Sequence, residues 1–244
     1  MHCRAFDNAG FEKHCFTTRL GGVSEGFLAE TNLSFSRECK QNVTENYNRI
    51  KNAVGFSGNY RLTQQEHTDI VEVVTEADGF TFSKTAVDGL VTNKSGICLT
   101  AFIADCVPVL ICDPVTRCVA AVHSGWRGTA KKITKNAVLL MQKNYGADPK
   151  NMIAAIGPCI AKCCYEVGQD VFEQFGNPKY FDKKQNGKYM LDLNLANKDV
   201  LLQAGLPESN IHISFECTFC KSDIYYSHRA TNGRRGNLAA MIEI

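Results

Sequence analysis

Apolar positions are densest in the middle of the chain. Residues 97–104 and 106–112 are apolar and rich in β-formers. They are followed by DPVT at 113–116, a turn with proline at its second position. Residues 117–122 return as a strand, so 106–122 reads as a hairpin of buried strands. Helical periodicity appears in three places. Residues 43–54 form a helix that stops at Gly55. Thr129 stands where it can cap a helix running to about Tyr145, with Ile133, Ala137, Leu140 and Met141 on one face and Gly146 as its stop. Residues 194–204 form a third helix, ending at Gly205. MIAAIG at 152–157 is another buried strand, and NIHISF and NLAAMIEI are late strands. Strands and helices mix without strict β-α-β alternation, which predicts one layered α+β domain over residues 1–244 rather than a dinucleotide-binding fold.

Composition changes this picture little. Hydrophobic residues make up 44% of 244, enough for a full core. The net charge of +2, with both signs interspersed, argues against a dedicated nucleic-acid surface but leaves room for a local basic pocket. No apolar run approaches a membrane span, and the start, MHCRAFDNAGFEKH, carries no apolar leader, so a cytoplasmic location is expected. Twelve cysteines are many for such a protein. The length and the missing leader favour reduced thiols over a disulfide framework, with Cys98, Cys112 and Cys118 as small core residues.

Three stretches carry candidate chemistry. In VAAVHSGWRGT the apolar strand stops at His123, and Ser124, Gly125, Trp126, Arg127 and Gly128 lead into a helix. Such a turn can hold an anion, with Arg127 binding phosphate or carboxylate in bidentate fashion; equally, it can be a tight turn with Trp126 packed over the core. In ADCVPVL, Asp105 enters a core and needs a partner, while Cys106 can be a metal thiolate, a nucleophile or a core thiol. QQEHTDIVEVV sets His67 before an alternating strand. His67, Cys106 and His123 all fall at strand edges, and two imidazoles with one thiolate make a three-ligand zinc set with an open fourth position. Their wide separation in sequence matches no local metal motif. Cys217 and Cys220 form a C-x-x-C, but the cluster Cys159, Cys163 and Cys164 lacks that spacing, so no structural metal site is expected there; CTFCKSDIYYS does not read as a helix-opening redox motif either.

Taken together, ADCVPVLICDP, VAAVHSGWRGT, IGPCI with CCYEVG, CT followed by YYSHR, TRLGGVSEG, TNLS and QEH occur in one order and resemble the laccase-domain family, from about residue 17 to 234. Its members were first called multicopper polyphenol oxidases; bacterial and vertebrate ones are regarded as purine nucleoside phosphorylases with adenosine deaminase and methylthioadenosine phosphorylase activity. The resemblance implies a layered α/β sandwich with a mixed sheet, distantly like bacterial deamidating toxins. It also implies a zinc site at His67, Cys106 and His123. Ser124, Ala161 and the FIADC run depart from commoner residues without removing a ligand, whereas His228 stands before Arg229 in place of a frequent tyrosine.

Three function classes follow. True laccase chemistry needs a type 1 copper and a histidine-rich cluster built from H-x-H pairs. The chain has six histidines and no H-x-H, although copper can occupy the zinc site. A cysteine hydrolase would use Cys106 as nucleophile and His123 as base. The preferred expectation is zinc-dependent chemistry on purine nucleosides (adenosine, inosine and S-methyl-5'-thioadenosine) with phosphate. Arg127 and Arg229 are candidates for the anion, and Asp105 for orienting a ligand or balancing charge. The expected partners are these small molecules, with no nucleic acid and no membrane.

Overall fold

The computed structural model describes residues 1–244. Its centre is a six-stranded mixed sheet of β3 (Val71–Val73), β5 (Gly89–Thr92), β7 (Val107–Asp113), β8 (Cys118–Ser124), β9 (Ile153–Ile156) and β13 (Ile211–Ile213), in the order β13-β9-β7-β8-β5-β3. The outer pairs β13/β9 and β5/β3 are parallel, and the inner ones antiparallel. A second mixed sheet has the order β1-β14-β6-β2-β4, with β1 (His14–Phe16), β2 (Tyr60–Leu62), β4 (Phe80–Phe82), β6 (Cys98–Ile103) and β14 (Leu238–Ile242). A small antiparallel sheet, β10 (Glu166–Val167), β12 (Tyr189–Leu191) and β11 (Phe181–Lys183), stands apart. The helices are α1 (Arg4–Asn8), α2 (Lys40–Val54), α3 (Trp126–Ala130), α4 (Ile133–Tyr145), α5 (Gln169–Phe175) and α6 (Leu193–Gln203).

Side-chain alternation turns these elements into four layers. Val107, Val109 and Ile111 of β7, with Ala120 and Val122 of β8, pack on Ile133, Ala137 and Met141 of α4 and Leu201 of α6. The opposite faces of the same strands present Leu110, Cys112, Val119 and Ala121 to Leu99, Ala101, Ile103, Leu238 and Ala240 of the second sheet. That sheet's outer face carries Tyr60, Leu62, Cys98, Ala239 and Met241 against Val43 and Tyr47 of α2. The order is helix, sheet, sheet, helix. Strands in the middle are covered twice, which is why 106–122 reads as continuously apolar rather than alternating.

The layered α+β expectation and the 106–122 hairpin stand, with β7 and β8 antiparallel. Gly55 and Gly146 end α2 and α4 at φ +85° and +69°, the left-handed geometry that glycine adopts without a Cβ penalty. The single helix capped by Thr129 does not form. The chain makes α3, breaks at Lys132 (φ +62°), and only then starts α4. Thr129 cannot cap, because its hydroxyl turns back within 3.0 Å of the Gly125 carbonyl and joins Ser124 and Asn197 in a buried polar cluster. All twelve cysteines are unpaired, with Cys98, Cys112 and Cys118 fully buried. No helix is long and apolar enough to cross a membrane.

Gly157, just past β9, lets β1 approach: a Cβ there would lie 2.3 Å from the Phe16 ring. Gly157→Ala should therefore destabilise the fold by about 1–3 kcal/mol through overpacking. A lowered urea midpoint with unchanged m-value is the expected result; an unchanged midpoint would mean that the two strands part freely.

Candidate metal centre and its cavity

Strand register assembles the centre. Val107 pairs with Ser124 and Pro108 with His123, so Cys106 sits just beyond the start of β7, beside the end of β8. On the other side of β8, Gly89 pairs with Val122, which sets Asp88 beside His123; the His123 amide donates to the Asp88 carbonyl at 2.7 Å. His67 comes from the loop between β2 and β3. Its amide donates to Asp88 Oδ1 at 3.1 Å, and the flanking Glu66 and Thr68 amides donate to Oδ2 at 3.2 and 2.7 Å.

The donor atoms of His67, Cys106 and His123 all lie within 4.8 Å of one another, with Cys106 Sγ 3.8 Å from His67 Nε2. Tetrahedral zinc, with bonds of about 2.3 Å to sulfur and about 2.0 Å to nitrogen, spans edges of this size. His123 Nδ1 is 2.7 Å from Asp88 Oδ1, which leaves Nε2 as its ligating atom. A carboxylate behind a histidine is the arrangement that fixes tautomer and ring orientation in metal sites. The donor set thus fits zinc: two imidazoles, one thiolate and a free fourth position. Gly125 answers why a glycine follows the strand. A Cβ there would stand 2.7 Å from the His67 ring and 3.3 Å from Cys106 Sγ.

Burial pushes the Cys106 thiol up, but the His123 and His67 imidazoles outweigh it and bring the thiol down to about 6. Burial pushes His123 down, yet Cys106 and Asp88 carry it up to about 9. Without a metal, the pair is therefore thiolate and imidazolium at neutral pH.

The centre opens into a cavity of about 790 Å³, of a size that takes a drug-sized ligand. Trp126, Tyr165, His228, Arg229 and Arg235 line it beside His67, Cys106 and His123. Asp105 also lines it, at φ +85°, but both carboxylate oxygens are used: Oδ1 accepts from Thr218 Oγ1 at 2.6 Å and Oδ2 from the Arg229 amide at 2.7 Å. The Arg229 guanidinium donates to the Glu166 carbonyl at 3.0 Å and lies 5.2 Å from the Tyr165 ring centre. Arg127 is not brought to the cavity wall. It is exposed and stacks 4.2 Å over Trp126, which lines the wall.

Sequence reasoning missed two residues. Asp88 is fully buried and organises both histidines; its signal was an acidic residue directly before an apolar strand, in VDGLVT. Arg235 lines the cavity with its Nε buried and unpartnered, and only the doubled arginine of GRRG pointed to it.

The family model described as multi-copper polyphenol oxidoreductase laccase matches residues 13–244, and the chain belongs to that family. It is 33% identical to purine nucleoside phosphorylase YlmD of Geobacillus stearothermophilus, over 93% of this chain and 88% of the relative. It is 37% identical to a purine nucleoside phosphorylase of Deinococcus radiodurans, over 94% and 88%. An adenosine deaminase, RL5, of an unknown prokaryotic organism is 38% identical, but over only 59% of this chain and 56% of that one. Among solved structures, the hypothetical protein YfiH of Bacillus licheniformis superposes with a TM-score of 0.89 at 31% identity, covering 95% of this chain and 92% of its own. The YlmD structure of Geobacillus stearothermophilus gives 0.87 at 32% identity, covering 94% and 90%.

Two outcomes are expected of the metal centre. Asp88→Asn removes the charge behind His123 and should weaken zinc binding about 10- to 100-fold in a chelator competition; undiminished affinity would reduce Asp88 to a loop anchor. Zinc must also displace the His123 proton, which is held up to about pH 9, whereas the Cys106 thiol is already ionised above about pH 6. Between those limits, binding should release close to one proton, and affinity should rise about tenfold per pH unit. Affinity independent of pH in this window would contradict the pairing.

Proposed function

We propose that the chain is a zinc-dependent purine nucleoside phosphorylase acting on adenosine, inosine and S-methyl-5'-thioadenosine, with adenosine deaminase activity. The observation that carries this reading is the cluster of the His67, Cys106 and His123 donor atoms, a set that suits zinc with an open fourth position, facing a cavity that also holds two arginines and aromatic walls. The names of the full-length relatives point the same way.

His67, Cys106 and His123 would hold the metal. Zinc bound there supplies a Lewis acid and lowers the pKa of water, the chemistry that adenine deamination at C6 requires. Phosphorolysis asks other things of the chain. Phosphate attacks the anomeric carbon as the bond to the purine breaks, so an anion must be held against a ribose that gains positive charge. Arg235 meets the first need with a buried Nε that has no protein partner. Arg229 is steadied by Tyr165 and by the Glu166 carbonyl, which leaves its remaining donors for a second anion contact. Arg127 stays in the proposal as an outer charge, stacked on Trp126, which lines the cavity. Asp105 serves as a positioning residue: its carboxylate holds Thr218 and the Arg229 backbone beside Cys106. The Trp126 and Tyr165 rings offer faces on which a purine can stack.

One observation favours a second reading. Two imidazoles bring Cys106 down to about 6, and a thiolate beside an imidazolium is also the resting state of a cysteine hydrolase. Metal analysis separates the two. His67→Ala, Cys106→Ala and His123→Ala should each lose this zinc and the phosphate-dependent conversion of inosine to hypoxanthine and ribose 1-phosphate together. Cys112→Ala should keep both and cost only packing, on the order of 1 kcal/mol. A hydrolase predicts an active His67→Ala variant and a parent with no metal at this centre. If zinc-loaded protein leaves adenosine, inosine and methylthioadenosine intact, the nucleoside reading fails.

A further inference from the structure

The chain brings together a second set of soft ligands that the sequence did not reveal. The sulfurs of Cys163, Cys164, Cys217 and Cys220 all lie within 4.8 Å of one another. Cys163 Sγ is 3.8 Å and Cys164 Sγ 3.3 Å from Cys220 Sγ. A zinc ion with four thiolates at about 2.3 Å sets its sulfurs about 3.8 Å apart, whereas a disulfide needs about 2.05 Å. The observed spacings suit the first arrangement, and none of the four is disulfide-bonded. The Ala161 amide donates to Cys217 Sγ at 3.4 Å, a contact that favours the thiolate.

Core packing does not account for the cluster. Cys163 and Cys220 are exposed, Cys164 is half-buried and Cys217 alone is buried, so the cluster opens at the surface and three of its four thiols fill no apolar gap. A third group, His2, Asp7 and His14, shows the contrast. His14 spends Nδ1 on the Phe11 carbonyl and Nε2 on the Cys3 amide, and so has no ligating atom to spare.

We propose that Cys163, Cys164, Cys217 and Cys220 form a structural tetrathiolate zinc site, separate from the centre at His67, Cys106 and His123. The site joins two segments of the cavity wall. One runs from Cys159 to Tyr165, and the other from Glu216 to Arg229. Between them the backbone offers only the short Cys159–Cys217 bridge, with Cys159 N donating to Glu216 O at 3.2 Å and Thr218 N to Cys159 O at 3.0 Å. The first segment carries Tyr165, and the second carries Thr218 and Arg229, which grip Asp105 next to Cys106. A zinc clamp here holds that wall in place without touching the cavity.

The test is the zinc content of the full-length protein purified under reducing conditions. The parent should hold two equivalents per chain. Cys106→Ala and Cys220→Ser should each hold one, and the double variant none. Cys163→Ser, also at an exposed position, provides a second probe should Cys220→Ser fold poorly. Cobalt substitution reads the site in a folded background. Cobalt-loaded Cys106→Ala should show the intense charge-transfer and ligand-field bands of a tetrathiolate centre, and adding Cys220→Ser should abolish them. No zinc in Cys106→Ala, two equivalents in Cys220→Ser, or a disulfide among these four cysteines in the freshly isolated protein would each overturn the proposal. A parent that keeps one zinc after Cys106→Ala but has no nucleoside activity would uphold this site while refuting the proposed function.

Discussion

The buried carboxylate of Asp88 is the contact on which the rest of the centre depends. A charge fully removed from water survives only when hydrogen bonds replace the water it has lost. Asp88 gathers donors from two directions: the His123 ring on one side, and on the other the backbone of residues 66–68 with the Thr68 hydroxyl at 2.8 Å. Burial would raise its pKa, but the bonds from His123 and Thr68 outweigh that effect and hold it below the usual carboxylate range. One residue therefore sets the tautomer of His123 and the backbone position of His67. His67 accepts a φ of +58° in return, a conformation that a free loop would not keep.

Behind Asp88 stands the doubly covered central sheet. Because β7 and β8 are apolar on both faces, sliding either by one residue would exchange the side chains packed on the helices for those packed on the second sheet. Val109 and Ile111 would trade places with Leu110 and Cys112, whose volumes and neighbours differ. Close packing thus holds the register, and the register delivers Asp88, Cys106 and His123 to one end of adjacent strands. Chemistry and core are coupled through backbone pairing.

Much of this was legible in the chain. The apolar hairpin and the glycine-stopped helices could be read because each leaves a local mark, a run or a period; His67, Cys106 and His123 each showed as a polar residue at a strand edge, but only the family resemblance joined them into one candidate set. What could not be read depends on partners distant in sequence. The second sheet is built largely from three-residue strands such as β1, β2 and β4, too short to show a period. The break at Lys132 follows from Thr129 bonding backward, which competes with its role as a cap. Asp88 is a single acidic residue before an apolar strand, and its role emerges only once β5 is set beside β8. Arg235 became notable only through the bonds its Nε does not make. The four clustered cysteines failed the spacing test for a metal motif because two of them are neighbours in the chain and the pairs meet only across folded segments.

The central hairpin has a polarity of its own. His123 and Cys106 sit at one end, and the turn from Asp113 to Cys118 at the other, seven residues of β7 away, or roughly 23 Å at about 3.3 Å per residue. At that far tip Val115 is 70% exposed, while Asp113 organises the turn through the Val115 amide and the Thr116 hydroxyl. The tip is tethered to the centre by a rigid ladder yet lies well clear of any ligand entering the cavity. A fluorophore attached at Val115 would therefore ride on the same rigid piece as His123 and, by energy transfer to a chromophoric ligand, would report occupancy of the cavity without obstructing it.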